Sequence, residues 1–472
     1  MAPTLDRSDI QGGILNGYGF EFGHAAYLFL EAGSAGAARR CLEEVTRRVV
    51  TTAEKWQDPE PRTTLNVAIT FAGLTRLGLA PELLDRFPAA FRALTRDRAE
   101  DLGDVGKSHP DNWDDRLGTG AAHLLLIVHA RSEGERDADL AGLRRRAEAE
   151  GLRAVHALPV ASLERRGAVR EHFGFADGFA QPDIEGVPRL TKHPAYRAAD
   201  DRGNGVPLDN EKWRPLKVGE FLLGHPDEDG QVDREPLPEL VGNGTYMVYR
   251  KLYQDVAGFR LALQRAEQET GWSQELVAAK IVGRWRDGIP VEVRPDRQEV
   301  GDLSTEIAAE IPNAFRYAAD GHGYRCPLGA HVRRANPRDA LGRGGALTRR
   351  HRIIRRGMPY GPPLARGAVH DDHEDRGLAF VCYNADIERQ FETVQAQWCN
   401  DGDPFHLGDD RDYLASGDAG SGKMTIPVEG APPRFIRTNP DLVQVRGSEY
   451  LFVPGIRGLR LLVSGRLDRS AV

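Results

Sequence analysis

With 472 residues, 70 acidic against 63 basic side chains and a formal net charge of -7, the chain reads as a soluble, mildly acidic protein of two or three domains. That balance argues against a general nucleic-acid role. The four cysteines, Cys41, Cys326, Cys382 and Cys399, form no C-x-x-C pair, which excludes a disulfide framework or zinc site as the leading reading and predicts a reducing cytoplasm. The opening Met1-Ala-Pro-Thr-Leu-Asp-Arg-Ser-Asp9 has no basic stretch followed by an apolar one, so neither a secretory leader nor a membrane span is expected.

In chain order, Ala25 to Leu30 and Ala122 to Val128 are short apolar runs with strand character, and Ala37 to Val50 and Asp137 to Gly151 carry helical spacing. From Leu190 to Glu239 the pattern dissolves into Pro, Gly and charge, the mark of a long connection. Strand-then-helix units resume with Tyr246 to Leu252 followed by Gln254 to Glu269, and again with Leu378 to Tyr383 followed by Ile387 to Trp398. Tyr450 to Val453 supplies a late strand. Such units with long excursions predict two α+β halves with antiparallel sheets, although the pattern alone leaves α/β open.

Three segments carry chemistry. In Cys326-Pro-Leu-Gly-Ala-His331-Val-Arg-Arg-Ala-Asn-Pro-Arg338 a histidine follows an apolar turn and precedes a run of arginines. A neutral imidazole can ligate a metal and arginines can hold carboxylates, the combined needs of haem. The same residues also fit a structural histidine beside a solvated basic loop, and the run from Arg333 to Arg356 could equally be a solvated face or an RNA contact. Phe173-Gly-Phe-Ala-Asp177-Gly-Phe-Ala-Gln-Pro182 places an acid between glycines in an aromatic stretch. Ile353-Ile-Arg355-Arg-Gly-Met-Pro-Tyr-Gly361 runs from a strand into a Gly/Pro turn.

Together these segments resemble the signature of the dye-decolorising peroxidase family. Asp9-Ile-Gln-Gly-Gly-Ile-Leu15, Gly244 to Leu252, Ile281 to Trp285, Gly377 to Tyr383 and Tyr450 to Pro454 extend the resemblance over nearly the whole chain, at the length of the family's larger branch. The resemblance implies two ferredoxin-like domains of the dimeric α+β barrel type: residues 1–190 with the distal acid, a connection over 191–243, and a haem-binding domain over 244–472. It implies haem b with His331 as the proximal iron ligand, and an acid partnering that histidine. Counting from Trp398 puts Asp412 there, with Asp409 and Asp410 as alternatives.

On the distal side the resemblance makes Asp177 the proton-transfer group and Arg355 the cation that polarises peroxide. Gly174 and Gly178 would let the backbone approach the haem, while Asp-Gly is also an ordinary turn signal. Strand alternation would send Arg356 to the opposite face from Arg355. Leu378 and Phe380 share one strand face and match residues set over the distal haem, a role compatible with plain core packing. Arg333 and Asn336 are candidates for propionate or proximal-loop contacts. Ala180 stands where the family commonly has Ser.

The function expected is reduction of hydrogen peroxide and one-electron oxidation of bulky aromatic donors, favoured at acidic pH because a free carboxylate has a pKa of about 3.9. Trp398 and Tyr360 are candidate surface relays for donors that cannot reach the haem. The alternatives are a haem carrier or sensor without turnover, and a haem enzyme of specialised metabolism. Nucleic-acid and membrane partners are not expected. The chain could act as a monomer or a homo-oligomer, and the end, Gly465 to Val472, carries no recognisable cargo-loading tail.

Overall fold

The computed structural model describes residues 5–18, 22–53, 60–165, 168–187, 201–208, 212–296, 311–417 and 420–467. Residues 1–4 of the chain start, 188–200 and 209–211 of the predicted connection, and 468–472 of the tail lie outside them. The first half contains β1 (His24–Ala32), α1 (Ala35–Thr46), β2 (Thr63–Thr70), β3 (Leu124–Ala130), α2 (Glu133–Ala149) and β4 (Leu152–Ala161). β1 from Ala25 to Leu30 and β3 from Leu124 to Val128 are apolar and buried because both of their faces are covered. The helices begin where serines supply N-caps, Ser34 accepting from the Ala37 N–H and Ser132 from the Glu135 N–H. The helix predicted to reach Val50 ends at Thr46.

The second half repeats the unit with β5 (Thr245–Gln254), α3 (Val256–Thr270), α4 (Gln274–Val282), the one-turn helix α5 (His331–Ala335), β6 (Ile354–Arg355), β7 (Met358–Tyr360) and β8 (Gly377–Asn384). Then come α6 (Ile387–Cys399), wound as a π-helix, the hairpin β9 (Lys423–Val428) and β10 (Ala431–Arg437), β11 (Val443–Val453) and α7 (Ile456–Ser464). Sequence spacing placed α6 correctly but carried no sign of its wide winding.

Apart from the hairpin β9–β10, which is a two-stranded sheet of its own, these strands join one antiparallel sheet in the order β6-β8-β5-β11-β2-β3-β1-β4, with β7 also on β8. The two halves meet where Leu451 and Phe452 of β11 pair with Thr70 and Ile69 of β2. β7 in turn lies against β4, so the sheet curls towards closure. The α+β, antiparallel expectation is therefore what the chain adopts. Gln11 of the opening segment reinforces the junction. Its side-chain amide donates to the carbonyls of Val67 and Pro454, both at 2.9 Å, and its Oε1 accepts from the Val67 N–H. One face of the sheet packs under α1 and α7. The other encloses an aromatic interior that includes Tyr27, Phe29, Tyr249 and Tyr383, and the candidate site opens there.

Candidate active site

His331 begins α5, directly after the turn Gly329-Ala330. Its Nδ1 lies 3.0 Å from Oδ2 of Asp412. The second oxygen of Asp412 accepts the N–H groups of Leu414 (2.9 Å) and Ala415 (2.8 Å), and the side chain is fully buried. Burial acts to raise the Asp412 pKa, yet His331 and Arg334 outweigh it and hold the carboxyl below its ordinary range. Burial likewise acts to lower the His331 pKa, and Asp412 reverses the sign. The partner is Asp412 rather than its neighbours. Asp410 accepts from Ser421 and the Thr425 N–H, and Asp409 is exposed beside Arg411. Arg334 secures this loop by donating to the carbonyls of Trp398, Asp401 and Asp410.

Arg333, one of the two arginines after His331, points into protein. It donates to Asp320 and to the Cys326 carbonyl, lies over the Tyr317 ring and is 1 % exposed. Asn336 caps α5, and its Oδ1 is buried with no hydrogen-bond partner among the described residues. Within the basic run Arg333, Arg334, Arg338 and Arg352 are buried, so these four form no solvated face.

Across from His331, Asp177 follows a loop in which Gly174 and Gly178 both take positive φ, at 96° and 98°, which L side chains disfavour. Oδ1 of Asp177 accepts from the Gly178 N–H (2.5 Å) and from the Arg355 guanidinium (3.0 Å). Burial favours the neutral acid, but Arg355 and that N–H prevail and the pKa is lowered. The charges of His331 and Asp177 each bias the other, and Arg355 opposes protonation of His331.

Gln181 fixes Arg355 by exchanging two hydrogen bonds with its backbone, both at 3.0 Å. Sequence reasoning treated Gln181 only as part of a motif. Glu171, also missed, accepts the N–H groups of Phe173 and Phe175 and so shapes the distal loop. Arg355, Leu378 and Phe380 line a cavity of about 100 Å³ together with Asp177. Arg356 lines it too, against expectation: β6 ends at Arg355, so strand alternation does not extend to the next residue. Arg356 instead donates to the Leu15 carbonyl. Neither relay candidate reaches the surface. Trp398 and Tyr360 are each 3 % exposed, the first stacked on His351 and the second bonded to Asp375.

A further group was not legible in the sequence. Arg284 and Arg338 spend their hydrogen bonds on carbonyls and the Asn313 amide oxygen. Among the described residues the Arg352 side chain has one long contact, 3.4 Å to the Ala180 carbonyl. Burial, with Arg338 and Arg355 adding repulsion, presses the Arg352 pKa down to about 9. Arginine keeps its proton, so Arg352 is a buried cation with no carboxylate partner among the described residues. Haem propionates would supply one, and His331, backed by a carboxylate, has the make-up of an axial ligand. The residues fit the cofactor.

The comparisons agree with that fit. Residues 9–159 match the family model of the DyP dimeric alpha+beta barrel domain, and residues 232–407 match that of the C-terminal part of Dyp-type peroxidases. The chain belongs to the dye-decolorising peroxidases. It is 26 % identical to dye-decolorizing peroxidase msp1 of Mycetinis scorodonius, over 98 % of this chain and 88 % of that one. It is 28 % identical to the multifunctional dye peroxidase DyP2 of an Amycolatopsis species, over 92 % and 91 %. Among solved structures, an ancestral D-type dye-decolorizing peroxidase superposes with a TM-score of 0.77 at 27 % identity, covering 97 % of this chain and 98 % of that one. Members of the family are haem b enzymes, and this chain is a peroxidase of that type. No described helix is long and apolar enough to cross a membrane.

Proposed function

We propose that the chain reduces hydrogen peroxide and oxidises bulky aromatic or phenolic donors in one-electron steps, favoured at acidic pH. Haem b, which His331 and the buried Arg352 would hold, would supply the redox centre. Asp177 moves the proton. Its Oδ1 is held by Arg355 and Gly178, while Oδ2 makes no hydrogen bond among the described residues and can take a proton from one peroxide oxygen and return it to the other. Arg355 stabilises the negative charge that gathers as the O–O bond opens, and its own proton stays in place. Leu378 and Phe380 keep the space narrow and apolar, which strengthens both effects. A lowered Asp177 pKa keeps the base ionised in acid, which supports an acidic optimum.

The observation that carries this reading is the Asp177–Arg355 pair set opposite the His331–Asp412 pair. A haem carrier needs only the second. The chain's four cysteines are free and buried, in keeping with a reducing cytoplasm. Absorption spectra of haem-loaded protein before and after one equivalent of peroxide, on wild type and Asp177→Ala, test the proposal. A rapid Soret shift that the substitution slows supports it. Bound haem that is unaltered or merely bleaches favours the carrier.

A further inference from the structure

The distal loop belongs to the first half of the chain, yet both of its flanks are held by the second. Upstream of Asp177, the Ala176 N–H donates to the Arg286 carbonyl at 3.0 Å. Arg170 donates to that carbonyl and to the Gly174 carbonyl, both at 2.7 Å. Downstream, Phe179 is gripped twice. Its ring and Ile311 lie so close to Gly288 that a β-carbon there would have no room. Its backbone carbonyl accepts from Nδ2 of Asn313 at 2.7 Å and from Nδ2 of Asn204 at 3.2 Å.

Asn313 is fully buried, and both ends of its side-chain amide are engaged. While Nδ2 serves Phe179, Oδ1 accepts from Arg284 at 2.8 Å, and the backbone carbonyl of Asn313 accepts from Arg338 at 2.9 Å. Arg284 also donates to the Gly288 carbonyl at 2.8 Å, which ties the bridge to the turn that Phe179 lies against. The place demands an amide. One end must accept from a guanidinium and the other must donate to a carbonyl; a carboxylate does only the first, and an aliphatic side chain does neither. Between Phe179 and Asp177 stands Gly178, the residue of positive φ whose N–H donates to Oδ1 of Asp177. Without an anchor at Phe179, the freedom of that glycine would pass to the acid.

We propose that Asn313 is a positioning residue for the peroxide step. By bridging Arg284 to the Phe179 carbonyl, it keeps Asp177 in register with Arg355, so that one carboxylate oxygen is held and the other meets peroxide. The inference rests on the reading of Asp177 as the proton-transfer group and names what holds that group in place from the other half of the chain.

The test uses the holoenzyme as wild type, Asn313→Asp, Asn204→Ala and the double variant. Asn313→Asp keeps the acceptor for Arg284 and turns the donor facing Phe179 into a second acceptor. Asn204→Ala removes the longer bond to the same carbonyl. Rapid mixing with peroxide gives the rate of the Soret change across pH, titration gives haem affinity, and hydrogen exchange reads the segment from Phe173 to Pro182. Asn313→Asp is expected to slow the peroxide step about ten-fold and Asn204→Ala about three-fold, with haem affinity within about three-fold of wild type. The double variant should be slower than either, and exchange over the segment should quicken in the same order. The acid limb of the rate profile should move to higher pH, because Arg355 and the Gly178 N–H hold the Asp177 pKa down and a loosened loop weakens both. The other charges that face Asp177, on His331 and Arg284, are the same in every variant. Wild-type rate and pH profile in Asn313→Asp would overturn the proposal, as would a rate that falls only in proportion to haem affinity. If Asn313→Asp does not fold, Asn204→Ala decides on the same terms. A wild-type rate in Asp177→Asn would instead overturn the reading of Asp177.

Discussion

Two carboxylates serve the two charge pairs of the candidate site, Asp412 with His331 and Asp177 with Arg355, and their settings differ in a way that separates holding from reacting. Asp412 is fully buried, with one oxygen on His331 and the other on two backbone N–H groups. Asp177 has a side chain 45 % exposed, one oxygen engaged and one left over. Both have lowered pKa values, so charge state does not distinguish them. What distinguishes them is unspent hydrogen-bonding capacity. A carboxylate with every lone pair committed orients its partner, and one with a lone pair to spare can move a proton.

The sharpest way to break this contrast is Asp177→Asn, which retains the shape and removes the base. The rate of the peroxide-driven Soret change should fall about 10²–10⁴-fold while haem binding persists. A loss of haem instead would make Asp177 a structural residue. Asp412→Asn should do the reverse, lowering haem affinity about 10- to 100-fold in haem-transfer titrations with a smaller effect per bound haem on the peroxide step. Arg352→Leu should weaken haem binding about ten-fold by removing a propionate partner. It should also leave the haem-free protein as stable or more so in urea titrations, because it relieves repulsion with Arg338 and Arg355. Gln181→Leu, which frees the Arg355 backbone, should slow the peroxide step about ten-fold through misplacement of the guanidinium.

The smallest effect concerns pH. In haem-free protein the depressed Asp412 adds stability that is fully present above its ordinary value of 3.8 and is lost as pH falls through its lower folded value. The raised His331 adds stability that is full below its ordinary 6.5 and is lost as pH rises through its higher folded value. Thermal unfolding should therefore show a plateau between about these two values. Asp412→Asn should flatten it.

Local signals carried the parts of this design that depend on short motifs. His331, Asp177 and Arg355 lie in segments whose turns and glycines could be read directly, and Asp412 followed from a count along one loop. β2 and β4 went unread: β2 mixes Thr and Asn with apolar residues in Thr63-Thr-Leu-Asn-Val-Ala-Ile-Thr70, and the apolar run of β4 is interrupted by Arg153, His156 and Pro159. Arg352 and Arg338 looked like surface charge because their burial depends on carbonyls offered by Ala180, Gly203, Asn313 and Phe315. Those partners are remote in sequence, and no periodicity encodes them.

The pairing of β11 with β2 also has a consequence in time. The edge of β2 that Leu451 and Phe452 cover emerges from the ribosome hundreds of residues before its partner. Until the penultimate element of the described chain is made, the first half presents an open strand edge, the kind of surface that invites wrong pairing. Gln11 cannot complete its bond to Pro454 before then either. Such long-range closure slows folding. Newly made protein must therefore be shielded along that edge, and variants at Ile69 or Thr70 should reduce the yield of soluble chain more than the activity of each molecule that matures.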